Sequence, residues 1–301
     1  MQTAYKLHGV HRHYDWGGTQ FIPHLMHLKN DQNKPFAEYW MGAHASAPAM
    51  IETDLYGTIA LDELLEKDKS LGCLPYLYKI LDVASMLSIQ VHPTKENAVI
   101  GYEKEEAAGI PIDAANRNYK DKNHKPEVMV ALSDFWLLHG FLAPELLQKR
   151  LASFKPFNGL ANEFVNADYK NLYQHFMHLD TTASDAILKP ILEEAIDEVK
   201  KGKVDKMHPH WWANKYYNGV VPESNIDKGI FSIYILNIVY IPKNQGIFQG
   251  AGLLHAYLEG QNIELMANSD NVLRGGLTPK HVDTNELINH VQFKPTFPSV
   301  M

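Results

Sequence analysis

Between Ile230 and Ala267 the chain alternates β-forming runs with glycine, and this punctuation narrows the possible folds more than any other stretch. Phe231-Ser-Ile-Tyr-Ile-Leu-Asn-Ile-Val-Tyr-Ile241 is the longest β pattern. Gly246–Gln249, His255–Leu258 and Asn262–Ala267 read as short strands separated by Gly250, Gly252 and Gly260. Branched and aromatic residues suit a pleated backbone, and glycine supplies the turns between them. Short strands at this spacing predict an antiparallel barrel or sandwich.

Earlier segments add to the β count. Pro75–Val83 and Leu87–Val91 read as strands, as do Pro126–Leu132 and Phe135–Phe141, joined by a Ser133-Asp134 turn. Residues 1–60 read as irregular with short strands, including an aromatic-led turn at Tyr14-Asp-Trp-Gly-Gly18. Thr58–Lys67 has Leu61, Leu64 and Leu65 at helical spacing. Glu96–Gly109 reads as a helix stopped by its glycine. From Pro144 the period changes. Ile187, Ile191, Leu192, Ala195, Ile196 and Val199 recur at helical intervals, and Pro190 predicts either a kink or two helices. The expected class is therefore mainly β, with a helical insertion at 144–228 between strand groups at 1–143 and 229–301. His208-Pro-His210-Trp-Trp212 is expected in an exposed loop.

Composition excludes several classes. A net charge of −7 gives no general attraction to nucleic acid or anionic membranes, although a few cations could still bind phosphate locally. The lone Cys73 excludes an intrachain disulfide and a cysteine-rich zinc site, and fits a reducing compartment. The opening Met1–His8 has no apolar core after a basic start, so no signal peptide is visible. No apolar run approaches the ~18–20 residues that span a bilayer. The expectation is a soluble cytoplasmic protein with no nucleic-acid or membrane partner.

Four fragments carry chemistry. In Leu87-Ser-Ile-Gln-Val-His-Pro93, Gln90 and His92 are two apart in a strand pattern, so both side chains point to one face. Glu127, in His124-Lys-Pro-Glu127, and His255, in His255-Ala-Tyr257, could reach the same interior from other strands. Together they offer two imidazoles, a carboxylate and an amide oxygen to a metal. Imidazole and carboxylate suit zinc, but two histidines and one carboxylate also suit non-haem iron(II), so the residues alone leave the metal open. The fourth fragment is Asn268-Ser-Asp-Asn-Val-Leu-Arg274.

These fragments, with Tyr14-Asp-Trp-Gly17, Asn116–Asp121, Asn123–Glu127, Glu264–Arg274 and Gly276–Lys280, run in one order and resemble the type I phosphomannose isomerases, zinc enzymes of the cupin superfamily. The resemblance covers most of the chain, with the helical insertion matched only by type. It implies a cupin-type double-stranded β-helix (jelly-roll) barrel and one Zn2+ held by Gln90, His92, Glu127 and His255. It also implies interconversion of mannose 6-phosphate and fructose 6-phosphate through an enediol. That reaction needs a base reaching two adjacent carbons and a fixed positive charge beside the developing enediolate. Arg274 suits the second role, because a guanidinium stays charged. Glu264, Lys125 and Asp270 are candidates for proton transfer or ring opening, and Ser88, Lys79, Lys280 and Tyr257 for substrate and phosphate contacts. Longer bacterial members continue into a further β domain that this sequence does not include. It is either a piece or a short member, expected as a monomer, with self-association as the alternative. Two other classes compete: a metal-dependent cupin oxygenase and a non-catalytic sugar-phosphate-binding cupin.

Overall fold

The computed structural model describes residues 4–301; Met1, Gln2 and Thr3, at the start of the segment read for a signal peptide, lie outside the described residues. The first half runs β1 (Lys6–His8), β2 (Val10–Arg12), α1 (Phe21–Leu25), β3 (Glu38–Met41), β4 (Met50–Thr53), β5 (Gly57–Ala60), α2 (Leu61–Lys67), β6 (Tyr76–Val83), β7 (Gln90–Val91), α3 (Lys95–Ala107), β8 (Glu127–Ala131) and β9 (Phe135–Phe141). Helices α4 (Pro144–Ser153), α5 (Asn158–Glu163), α6 (Tyr169–His178), α7 (Thr181–Lys200), α8 (Pro209–Tyr216) and α9 (Gly229–Ile235) follow. The chain returns to β10 (Leu236–Ile241), β11 (Gly246–Gln249), β12 (His255–Ala267) and β13 (Leu273–Arg274), then α10 (Thr284–His290).

The organising element is β12, a 13-residue strand that serves two sets of partners. Its first part pairs with β7 and β9, and its second part with β6 and β8, all antiparallel. The sequence reading split this stretch at Gly260; the structure keeps one strand and bends it there. Gly260 has φ +124, and a Cβ at that point would lie 2.6 Å from the Asp134 carbonyl oxygen. Only glycine tolerates both conditions. The chain only bends at Leu132–Asp134 in place of the expected hairpin turn, and β8 and β9 do not pair with each other. β8 pairs with β11 and the second part of β12, and β9 with β10 and the first part.

Burial on both faces erases the period of a strand, and other boundaries also differ from expectation, with Pro190 choosing one of its two alternatives. Phe231–Ile235 is helical, and all seven residues of α9 are buried, so its apolar run matched a core strand equally well. Leu87–Val91 contains only the two-residue β7, although the Leu87 and Ile89 amides still donate to the carbonyls of Tyr257 and Gly276. Thr58–Ala60 belongs to β5, and the helix starts at Leu61. Pro190 lies inside a single 20-residue helix, α7, whose N-terminus is capped by the Asp180 carboxylate. α3 behaves as expected. The Thr94 hydroxyl caps its start, and Gly109 follows its end with φ +67.

The helices bury Phe157, Tyr173, Phe176, Trp212, Phe231 and Tyr234 in one core that continues onto Ile89, Val91 and Leu138 beside the strands. Each such aromatic contributes on the order of 1.5–3 kcal/mol when removed from water. The helical block is therefore fastened to the sheet behind β7 and β9, which fixes those strands where the site is built. Trp212 and His210 sit in that core rather than in an exposed loop, because Pro209 opens α8 and turns them inward. No helix among the described residues is long and apolar enough to cross a membrane.

Candidate active site

Strand register brings the chemistry together. Directly paired residues on neighbouring strands point to the same face. Arg274 pairs with Gln90, Gln90 with His255, and His255 with His139, which makes a row across β13, β7, β12 and β9. A second row, on β3, β6, β12 and β8, contains Trp40, Lys79, Glu264 and Met129. Glu127 lies two residues before Met129 and so faces the same interior.

One ligand atom each from His92, Glu127 and His255 lies within 4.8 Å of the others, and all three residues are buried. His92 Nδ1 faces the Asn271 carbonyl oxygen at 2.8 Å, and His255 Nδ1 faces that of Leu253 at 2.9 Å. A carbonyl only accepts, so both rings donate from Nδ1 and a neutral ring presents a lone pair at Nε2. Each Nε2 lies 3.3 Å from a Glu127 oxygen, yet both are buried without a hydrogen-bond partner. Three acceptors thus converge with no proton between them. A cation resolves that conflict, and backbone carbonyls on the far nitrogens are the usual outer support for metal-binding imidazoles. The residues fit a metal. Gln90 stands beside His255 on the same face.

Electrostatics supports this reading. Burial above all, with Lys125 adding to it and Glu127 opposing, lowers His92 to about 4, so its ring is neutral at physiological pH. Burial alone would raise Glu127, but the Lys125 ammonium and His92 hold its carboxyl well below the ordinary range. Lys125 Nζ lies 3.1 Å from Glu127 Oε1. Glu264 behaves oppositely. Burial and the charge of Glu127 raise its proton affinity, against Lys79 and Lys125. Lys79 Nζ is 3.4 Å from Glu264 and 3.9 Å from Glu38. Although burial disfavours the charged Lys79, those carboxylates raise its affinity for a proton.

The structure gathers most of the expected residues, though not into the expected groups. Tyr257 is buried, and its hydroxyl donates to Glu264 Oε1 at 2.8 Å. Asp270 stands at the rim, its side chain 49% exposed, with His44 Nε2 at 3.3 Å. Burial favours its protonated form, but the hydrogen bond from His44 holds the carboxyl below its ordinary value. Arg274 is half-buried, and burial alone lowers its proton affinity. Lys280 is lowered by burial and by Arg274, which marks the two cations as neighbours. Neither side chain has an ion-pair partner among the described residues. Lys79, by contrast, already has two carboxylates. Ser88 is half-buried, two residues before Gln90.

Three residues escaped the sequence reading. Glu38 accepts from Trp40 Nε1 at 2.5 Å and partners Lys79; its strand pattern, a carboxylate alternating with Trp40, was the available signal. His139 is a single polar residue in the apolar run of β9, and burial lowers it to about 4. His44 lies in the aromatic and polar run Ala37-Glu-Tyr-Trp-Met-Gly-Ala-His44, which carries no spacing that marks a site.

The profile of the phosphomannose isomerase type I catalytic domain matches residues 4–143. Mannose-6-phosphate isomerase of Escherichia coli K12 is 36% identical over 309 residues, covering 96% of this chain and 75% of that protein. The rat mannose-6-phosphate isomerase is 31% identical over 293 residues, covering 88% of this chain and 65% of that protein. A crystal structure of mannose 6-phosphate isomerase from Salmonella typhimurium, bound to its substrate fructose 6-phosphate and to zinc, superposes with a TM-score of 0.83 at 36% identity, covering 97% of this chain and 75% of that one. A holo, zinc-bound structure of mannose 6-phosphate isomerase gives the same TM-score of 0.83. Likeness at this identity, along nearly its whole length and over three quarters of such relatives, means that this chain belongs to the type I phosphomannose isomerase family.

Proposed function

We propose that this chain interconverts mannose 6-phosphate and fructose 6-phosphate as a zinc-dependent aldose–ketose isomerase, with one Zn2+ held by His92, Glu127, His255 and Gln90. The observation that carries the reading is the pair of buried Nε2 atoms turned on one carboxylate. The zinc-bound and substrate-bound relatives support the choice of metal and sugar phosphate. When bound, zinc supplies Lewis acidity toward the oxygen-rich substrate.

The protein residues divide the remaining work. Glu264 is the favoured base for moving a proton between carbons 2 and 1, since its raised proton affinity suits transfer near neutrality and Tyr257 and Lys79 hold it in place. Lys125 is committed to Glu127, and Asp270 is held ionised at the rim, where ring opening is the more suitable task. Arg274 provides positive charge to the enediolate, as an unpaired, partly desolvated cation. Lys280 and Ser88 meet the phosphate. The ion pairs of Lys79 favour a role in the Glu38–Glu264 network over phosphate binding.

The same reading takes the strands of 1–143 and 229–301 as a cupin-type jelly-roll barrel and 144–228 as its helical insertion, a block that continues through α9 to Ile235. It places the protein in the cytoplasm, on its single cysteine, and takes it as a monomer. The test is metal analysis of purified protein with a coupled fructose 6-phosphate assay, before and after chelation. Activity restored by zinc supports the reading. Full activity in metal-free protein, or restoration by iron(II) alone, overturns it.

A further inference from the structure

Away from the active centre, a second set of metal-ligating side chains joins two helices of the insertion. One ligand atom each from Glu198, His208 and His210 lies within 4.8 Å of the others. Glu198 is in the last turn of α7, His208 is the N-cap of α8, and His210 is in its first turn. His210 is fully buried, and its Nε2, 3.7 Å from Glu198 Oε2, has no hydrogen-bond partner. Its Nδ1 lies 2.7 Å from the Tyr234 hydroxyl. With its proton on Nδ1, donated to that oxygen, the ring turns a lone pair toward Glu198. As at the active centre, a second partner holds an imidazole whose Nε2 is left bare, but a hydroxyl can donate as well as accept, so here the bound ion selects the tautomer.

We propose that Glu198, His208 and His210 form a structural site for a divalent transition ion such as Zn2+, stapling α7 to the start of α8. Two imidazoles and a carboxylate are a zinc donor set, with a fourth position left to solvent. Local charge favours a cation over an anion. Glu194 and Glu198 both act on Tyr234 from this side, against Arg150 alone. The carboxyl end of α7 also favours positive charge, which offsets the amino end of α8. Burial lowers His210 to about 3, so the ring is available in its neutral form. His208 is lowered too, by burial and by Arg150, against Glu198 and Asp205. Binding has one local cost. His208 Nδ1 accepts from the His210 amide at 3.2 Å, so a neutral ring there carries its proton on Nε2 and must give up that contact to present a lone pair.

The test counts ions per chain by mass spectrometry after equilibrium dialysis against zinc. Glu198→Gln and His208→Gln are each expected to hold one ion fewer than wild type, with fructose 6-phosphate turnover unchanged. Both positions are only partly buried, and circular dichroism of the zinc-free variants checks their fold; His210 is left untouched because it is core. His255→Ala is expected to lose a different ion, so that His208→Gln/His255→Ala holds two fewer than wild type. Equal zinc content in wild type, Glu198→Gln and His208→Gln overturns the second site while leaving the active centre intact. Loss in those variants with no loss in His255→Ala supports the helical site and overturns the active-centre reading instead.

Discussion

The Tyr257 hydroxyl donates to Glu264 Oε1 at 2.8 Å across the bend that Gly260 puts into β12. One strand therefore carries both the group that orients the proposed base and the base itself. The hydrogen bond favours the ionised carboxylate, against burial and Glu127, which raise its proton affinity. Tyr257→Phe removes that support. If ionised Glu264 is the working form, activity falls as pH drops through its pKa, and the variant moves this acid limb upward by on the order of one pH unit. A kcat–pH profile measures it. An unmoved limb takes the base role away from Glu264.

His255→Ala is expected to lose the active-centre zinc and isomerase activity together. It removes one of the two bare Nε2 atoms and leaves Glu127 with a single imidazole. Zinc content and the coupled assay, read on the same sample, decide this. Full occupancy with full activity contradicts the ligand assignment.

Arg274→Gln is expected to keep its zinc and its fold while kcat falls by roughly 100-fold or more, the loss typical of removing one donor to transition-state charge. Steady-state kinetics separate two roles. A rise in KM with kcat unchanged makes Arg274 a phosphate contact and leaves the enediolate without an assigned partner.

Lys79→Met leaves Glu38 and Glu264 facing one another in the interior. Breaking a buried pair from one side costs about 3–5 kcal/mol. The sign with pH follows from the direction of the shift. Lys79 has a folded-state pKa raised above its ordinary 10.5, so its contribution is complete below about pH 10 and fades as pH rises through the folded value. Urea unfolding of wild type and variant at neutral and strongly alkaline pH is expected to show the gap narrowing on the alkaline side. A variant as stable as wild type at neutral pH removes the argument.

Free mannose is expected to be turned over far more poorly than mannose 6-phosphate, because binding energy from the phosphate positions the reacting carbons. Arg274 and Lys280, cations without carboxylate partners, motivate the expectation. Equal kcat/KM for both sugars contradicts it.

The metal residues were legible in the sequence because each lies in a short fragment of distinctive chemistry. Gln90 and His92 keep strand spacing, and Glu127 and His255 each begin a strand. Glu264 alternates with Ile263 and Leu265 along the sequence, a pattern that turns it to the other face, and it is buried while Leu265 beside it is 38% exposed. What the sequence hid was pairing. Nothing local in Phe135–Phe141 says that β9 lies on β12 and not on β8, and it is this register that puts His139 beside His255. Lys79 could not be separated from Lys280 as a phosphate ligand, since the carboxylate at Glu38 reaches it only through the β3–β6 register. The interior position of His210 was hidden for the same reason, because Tyr234 meets it from a segment whose apolar run reads equally as helix or strand.

The pairing of β12 with β6, β7, β8 and β9 also fixes when the site can come into being as the chain folds. His92, Glu127 and His255 are far apart along the backbone, and the helices of 144–235 must be spanned before His255 meets the other two. Loop closure of this length is entropically slow, and folds built on such distant pairings condense late. The helices, made of local contacts, can form long before. Refolding is therefore expected to show early helical signal and a slower recovery of turnover, with the active-centre zinc captured only in the second phase.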